Sequence, residues 1–274
     1  MKTLNYLFVI VFIAFLACSE NASLEKEEQT EEEVQTPLEP KYKGLIQDKL
    51  ECMNMPRPAD SYNYPVYPGM EEWAQFKTVR EMVNACQVPE DILKTMSTQA
   101  VIQAIWEYPF LFDILHRFEY QSDFEGTFLQ NNAYNELIKR TDAGTALLER
   151  LLALDPANSD VRYEPKALEI LTSQAVFLSQ LDDDAKKKLI EVTLKNDELR
   201  QKNVELTNLF RATAWLLIGK TLVSTNYTPF IEYMNKDEQL RLFLESQSYV
   251  YLEGVYGAIP QIIVEYAKQY LMNN

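Results

Sequence analysis

Residues 204–224 read VELTNLFRATAWLLIGKTLVS. From Ala212 to Ile218 the run is Ala-Thr-Ala-Trp-Leu-Leu-Ile, apolar on all sides of a helix rather than along one stripe. A helix without a polar face has to be covered all round. The run also falls well short of the roughly 20 residues needed to cross a bilayer. It predicts a central, buried helix with other helices packed about it.

The rest of the chain supplies those helices. Residues 70–88 place Trp73, Phe76, Val79, Met82, Val83 and Cys86 at steps of three and four, which predicts one amphipathic helix. Pro89 restarts the chain, with Glu90 and Asp91 in a fresh first turn. Ser97 or Thr98 caps a segment carrying Val101, Ile102, Ile105 and Trp106, and Tyr108-Pro109 ends it. A further helix is expected over 109–118. Asp123 and Asp142 are the expected N-caps of 124–140 and 143–154, with a break at Asp155-Pro156. Pro165 opens a helix through Leu168, Leu171, Ala175 and Leu178. Asp182, Asp183 and Asp184 precede Lys186, Lys187 and Lys188, so acids meet the positive helix end and lysines line an exposed face. Thr228-Pro229 starts another segment that breaks near Asn235, and 255–272 closes the chain with Pro260 near its start. Tyr249 to Leu252 has strand propensity but nothing obvious to pair with.

The fold class expected is all-α, with roughly ten to twelve helices joined by short loops. Its form is an irregular multi-helix bundle or an α/α stack of helical hairpins; no regular repeat period is found. Only 7 glycines in 274 residues argue the same way. Residues 56–69, PRPADSYNYPVYPG, hold four prolines and three tyrosines and predict an extended strap laid on the helices. Residues 41–274 are expected to form one helical domain that begins with this strap.

The N-terminal part reads differently. Lys2 precedes an unbroken apolar run of 11 residues, Leu7 to Ala17, which ends at Cys18. That length suits the core of a signal peptide, residues 1–17. Residues 19–40 then hold eight Glu and one Lys, nearly half of the chain's net charge of −15. Such a segment repels itself and buries too little apolar surface to offset its ordering entropy, so residues 18–40 are expected to act as a disordered tether. Fully extended it reaches about 75 Å, and as a coil about 25–30 Å.

Phe15-Leu16-Ala17-Cys18 resembles the lipobox of bacterial lipoproteins, with Phe15 where Leu is commoner. The resemblance implies cleavage before Cys18, acylation of its thiol and new amine, and a membrane held through the lipid. One acyl chain anchors only marginally, and the two or three that a lipobox implies anchor effectively permanently. Ser19 after the cysteine resembles the outer-membrane-directed pattern of Gram-negative lipoproteins, and the acidic stretch resembles the surface-export signal of Bacteroidota lipoproteins. In the body, a set of short motifs recurs: Tyr64-Pro65, Glu72-Trp73, Glu81-Met82, Ala85 to Glu90, Met96-Ser97-Thr98, Tyr108-Pro109 and Asp142-Ala143-Gly144. Over about residues 62–150 these are similar to a family of uncharacterised secreted proteins and lipoproteins of gut Bacteroidota. That resemblance implies lineage and location and carries no activity.

Little in the body points to chemistry. His116 is the single histidine, and Glu119, Asp123 and Glu125 beside it lack the spacing of zinc motifs. No G-x-S-x-G, phosphate-cradling glycine loop or dinucleotide fingerprint is present. No catalytic residue, metal ligand or cofactor is therefore assigned, and paired carboxylates remain the one general route to a hydrolase. A net charge of −15 repels phosphate backbones, so nucleic acid is not an expected partner. Cys52 and Cys86 are the only cysteines after Cys18 and form the candidate disulfide of an exported protein. It would close a loop of about 35 residues and contribute roughly 3–4 kcal/mol; two separate buried thiols are the alternative. Tyr62, Tyr64 and Tyr67 are candidate ligand-contacting aromatics, or else anchors of the strap. The function expected is a non-enzymatic, lipid-anchored module that binds another protein, with glycan or small-ligand binding through the tyrosines as the alternative and a carboxylate hydrolase third.

Overall fold

A computed structural model describes residues 54–111, 126, 128–155, 164–202, 208–246 and 258–273. These hold thirteen helices and no strand. The fold is all-α, as expected, and the described residues alone hold one helix more than the upper end of the count read from sequence. All the described residues fall in one unit, Leu38–Asn274.

The described residues of the first half form six helices. They are α1 (Glu71–Gln75), α2 (Val79–Ala85), α3 (Glu90–Thr95), α4 (Thr98–Trp106), α5 (Asn132–Leu137) and α6 (Ala143–Ala153). The second half holds α7 (Glu164–Thr172), α8 (Ala175–Leu178), α9 (Asp183–Gln201), α10 (Asn208–Ser224), α11 (Thr228–Met234), α12 (Glu238–Ser246) and α13 (Ala258–Asn273). Helix α10 is the hub: residues 212–219 are all buried, and it packs against α7, α8, α9, α11, α12 and α13. Its apolar circumference demands that surround. In the other half α4 packs on α5 and α6, and α6 reaches α7 and α9, so one hydrophobic core runs through both halves.

Several starts follow from local chemistry. The Ser97 side chain accepts from the Ala100 N–H at 3.2 Å, and Asp182 accepts from that of Ala185 at 2.7 Å. Pro89 stands at the N-cap of α3, and Pro229 lies in the first turn of α11.

Four readings need correction. The helix expected over 124–140 turns at Leu129 and Gln130, and α5 starts afresh under Asn131, whose side chain accepts from the Ala133 N–H at 2.8 Å. The helix expected over 70–88 is two, α1 and α2. Thr78 accepts from the Glu81 N–H at 3.2 Å while the Glu81 carboxylate accepts from the Lys77 N–H at 2.7 Å. This reciprocal cap starts a new helix and turns Val79 outward, 67% exposed. The helix from Pro165 to Leu178 also breaks, at Ser173 and Gln174, and leaves Ala175 exposed. Asp142 does occupy the N-cap position of α6, but its side chain makes no cap bond and accepts from the Thr98 hydroxyl at 2.8 Å instead. The Gly144 N–H is satisfied by the Gln180 side chain at 2.7 Å, a cap supplied from across the fold. Asp123, the helix expected over 109–118 beyond Leu111, and Tyr249 to Leu252 lie outside the described residues.

Gly144 permits that close approach. A Cβ there would lie 2.5 Å from the Phe177 carbonyl oxygen, a backbone atom that cannot swing aside. Gly144→Ala is expected to lower unfolding free energy by about 1–3 kcal/mol, against the gain of about 1 kcal/mol in helix propensity. Urea unfolding measures the net sign, and a more stable variant would refute the tight packing of α6 on this turn.

The strap crosses α4. Tyr64 is 1% exposed and donates its hydroxyl to the Ala104 carbonyl at 3.0 Å. Tyr62 meets the Tyr64 ring edge-on at 5.2 Å, and Asp60 accepts from the Ser97 N–H at 2.6 Å. Gly69, at φ 95°, supplies the left-handed turn that leads into α1.

Candidate functional site

Two features of the α7–α13 half gather charge at depth. In the first, Glu169 of α7 is 0% exposed and Arg200 of α9 is 3% exposed. Both terminal nitrogens of Arg200 donate to the Glu169 carboxylate, one at 3.1 Å, and the Thr213 hydroxyl of α10 donates to it at 2.6 Å. Burial raises the Glu169 pKa, and Arg200 and Thr213 pull it part of the way back. One turn nearer the start of α9, Asp197 accepts twice from Arg211, each at 2.8 Å, and from the Trp215 indole at 3.2 Å. The Arg211 guanidinium lies 5.0 Å from the Trp215 ring centre. Asp197, Arg211 and Trp215 open onto a cleft of about 320 Å³. Here each carboxylate faces its own arginine in a two-bond clamp. The cluster locks α7, α9 and α10 together, its carboxylates and guanidinium groups paired with one another.

The second feature is a cavity of about 660 Å³. Its apolar walls are Leu178 of α8, Val223 of α10, Met234 of α11 and Leu244 of α12. Gly219 lets α12 come close, since a Cβ there would lie 2.6 Å from a Leu244 methyl. Two amines line the cavity. Lys186 of α9 donates to the Ser224 carbonyl at 3.0 Å. Lys220, half-buried on α10, meets no acceptor among the described residues, and burial alone lowers its pKa to about 8. The one carboxylate on the lining, that of Glu245, is engaged by Arg241 at 2.7 Å. This arrangement can hold an apolar body and offer it cationic hydrogen-bond donors.

No family model, curated protein or solved structure matches this chain.

The residues picked from the sequence lie elsewhere. Tyr64 has no ring face left to offer a ligand and acts as a core anchor, while Tyr62 and Tyr67 are half-buried beside it. Cys86 is a buried free thiol whose pKa burial pushes up to about 12, so it is inert at neutral pH. Cys18, Cys52 and His116 lie outside the described residues. Among the described residues no His, Cys, Asp or Glu cluster has the makings of a metal site, and no helix is long and apolar enough to cross a membrane.

Sequence reasoning placed Lys186 on an exposed face and passed over Lys220. The available signal was the position of Lys220 two residues after the all-apolar run, on the helix expected to be central. A cation there is either at the end of the core or in a cavity within it.

Proposed function

We propose that this chain is a bacterial lipoprotein, held at the outer membrane through acylated Cys18 and turned to the cell surface, whose helical domain works by binding another protein. One observation carries the anchor: an 11-residue apolar run stops at Ala17-Cys18 and passes at once into a segment with eight Glu in 22 residues. A spacer of that kind is useful only if something at its start is fixed. The motif set over residues 62–150 supports a Bacteroidota lineage for the body.

A second reading is favoured by the cavity at Lys220: the domain captures a small ligand. Of the strap tyrosines, Tyr64 is spent on the core.

The anchor is tested by Cys18→Ser in the native host. The variant is expected to leave the membrane pellet for the soluble fraction, and mass spectrometry of the wild-type N-terminus should show a fatty-acylated cysteine. A variant that still sediments with lipid vesicles would overturn the anchor. Crosslinking on intact cells followed by pull-down should recover one defined protein; repeated empty pull-downs would remove the protein-partner reading.

A further inference from the structure

We propose that the cavity among α8, α9, α10, α11 and α12 binds an amphipathic anion of the fatty-acid class, its carboxylate at Lys220 and Lys186 and its aliphatic body against Leu178, Val223, Met234 and Leu244. The inference deepens the small-ligand reading and is independent of the membrane anchor.

Size comes first. About 660 Å³ falls within the range of sites that enclose small organic ligands, and the walls are those of an apolar pocket with few polar groups. Charge then selects the ligand. The chain carries −15 overall, yet this cavity has two amines on its lining and one carboxylate, which is already engaged by Arg241. The Lys220 ammonium is desolvated, and no acceptor meets it among the described residues. A buried charge without a partner is costly, and an anion placed beside it recovers that cost. Lys186 gives one proton to the Ser224 carbonyl and keeps two for a ligand. Glu245 near the lining disfavours a second negative charge, which points to a single carboxylate over a dianionic phosphate.

The full chain carrying Cys18→Ser, and so unacylated, is titrated calorimetrically at pH 7 with sodium dodecanoate below its micelle concentration. One saturable site is expected. Lys220→Met should weaken dodecanoate at least tenfold, with Lys220→Arg restoring most of the affinity, and dodecyltrimethylammonium should not compete. Circular dichroism checks that each variant is folded. Equal dodecanoate affinity in Lys220→Met, or equally tight binding of the cationic amphiphile, would overturn the proposal. The neutral dye N-phenyl-1-naphthylamine separates this from the broader reading. If the dye binds and Val223→Trp abolishes it while dodecanoate fails to bind, the cavity takes ligands but not anions. If neither probe binds, both the proposal and the small-ligand reading fall.

Discussion

Replacing Arg200 by methionine is expected to lower unfolding free energy by about 3–5 kcal/mol, the usual cost of stranding one half of a buried ion pair. Glu169 would then sit fully buried with the Thr213 hydroxyl as its remaining side-chain donor. Pairing Arg200→Met with Glu169→Met should recover most of the loss, because two apolar side chains of similar volume avoid the desolvation that the ion pair has to overcome. The deficit of the single variant also depends on pH. Burial holds the native Glu169 carboxyl above its ordinary value of 4.5, and removing Arg200 raises it further. A raised carboxyl contributes most to stability below its unfolded pKa and loses that contribution as pH rises through the folded one. The deficit should therefore be small near pH 4, where Glu169 is protonated in the variant, and full at pH 7. Urea unfolding of the wild type, the single and the double variant at both pH values measures this. A deficit independent of pH would mean that Arg200 stabilises by packing and not by charge.

That ion pair also marks where sequence reading stops. The apolar run 212–218 announced the central helix because burial on every side is written in seven consecutive residues. Ser97 and Asp182 announced their helices because a cap and the N–H that donates to it lie within one turn. Glu169 and Arg200 are 31 positions apart, and Glu169 and Thr213 are 44 apart. No local period connects them, so each reads alone as a surface charge. The same holds for the substitution of Gln180 for Asp142 at the start of α6, where a side chain 36 residues away takes over the cap. Val79 failed for a different reason: its spacing fits the stripe, but the Thr78–Glu81 cap competes locally and wins. Lys220, Lys186 and the cavity walls come from five helices, and only their assembly forms the cavity. The address proposed for the chain, by contrast, rests on a wholly local feature, a run of apolar residues ending in a cysteine.

Replacing Glu107 by alanine should be nearly as damaging, and it should also loosen the strap. Glu107 is buried at the C-cap of α4 and accepts from Arg57 at 2.9 and 2.8 Å and from the Gln103 amide at 2.7 Å. Gln103 in turn accepts from Arg150 at 2.7 Å, and Gln99 accepts from Arg150 at 2.9 Å through its side chain and 2.8 Å through its carbonyl. Arg150 is buried deeply enough for its pKa to fall to about 10, and Glu107 is the carboxylate that opposes that fall. Without Glu107, Arg57 can turn to water, but Arg150 cannot. The expected loss is again about 3–5 kcal/mol, with Glu107→Gln costing less because it keeps an acceptor for Gln103. Arg57 is also the clamp on residues 57–63, since it donates to the Tyr62 carbonyl at 3.1 Å and the Asn63 side chain at 2.9 Å. Once Glu107 is gone, chymotrypsin should cut after Tyr62 under native conditions many times faster than in the wild type. Loss of global stability with an unchanged cleavage rate at Tyr62 would show that Tyr64 alone pins the strap. In that case the Arg57–Glu107 pair would only neutralise the interior and would not position the segment in front of it.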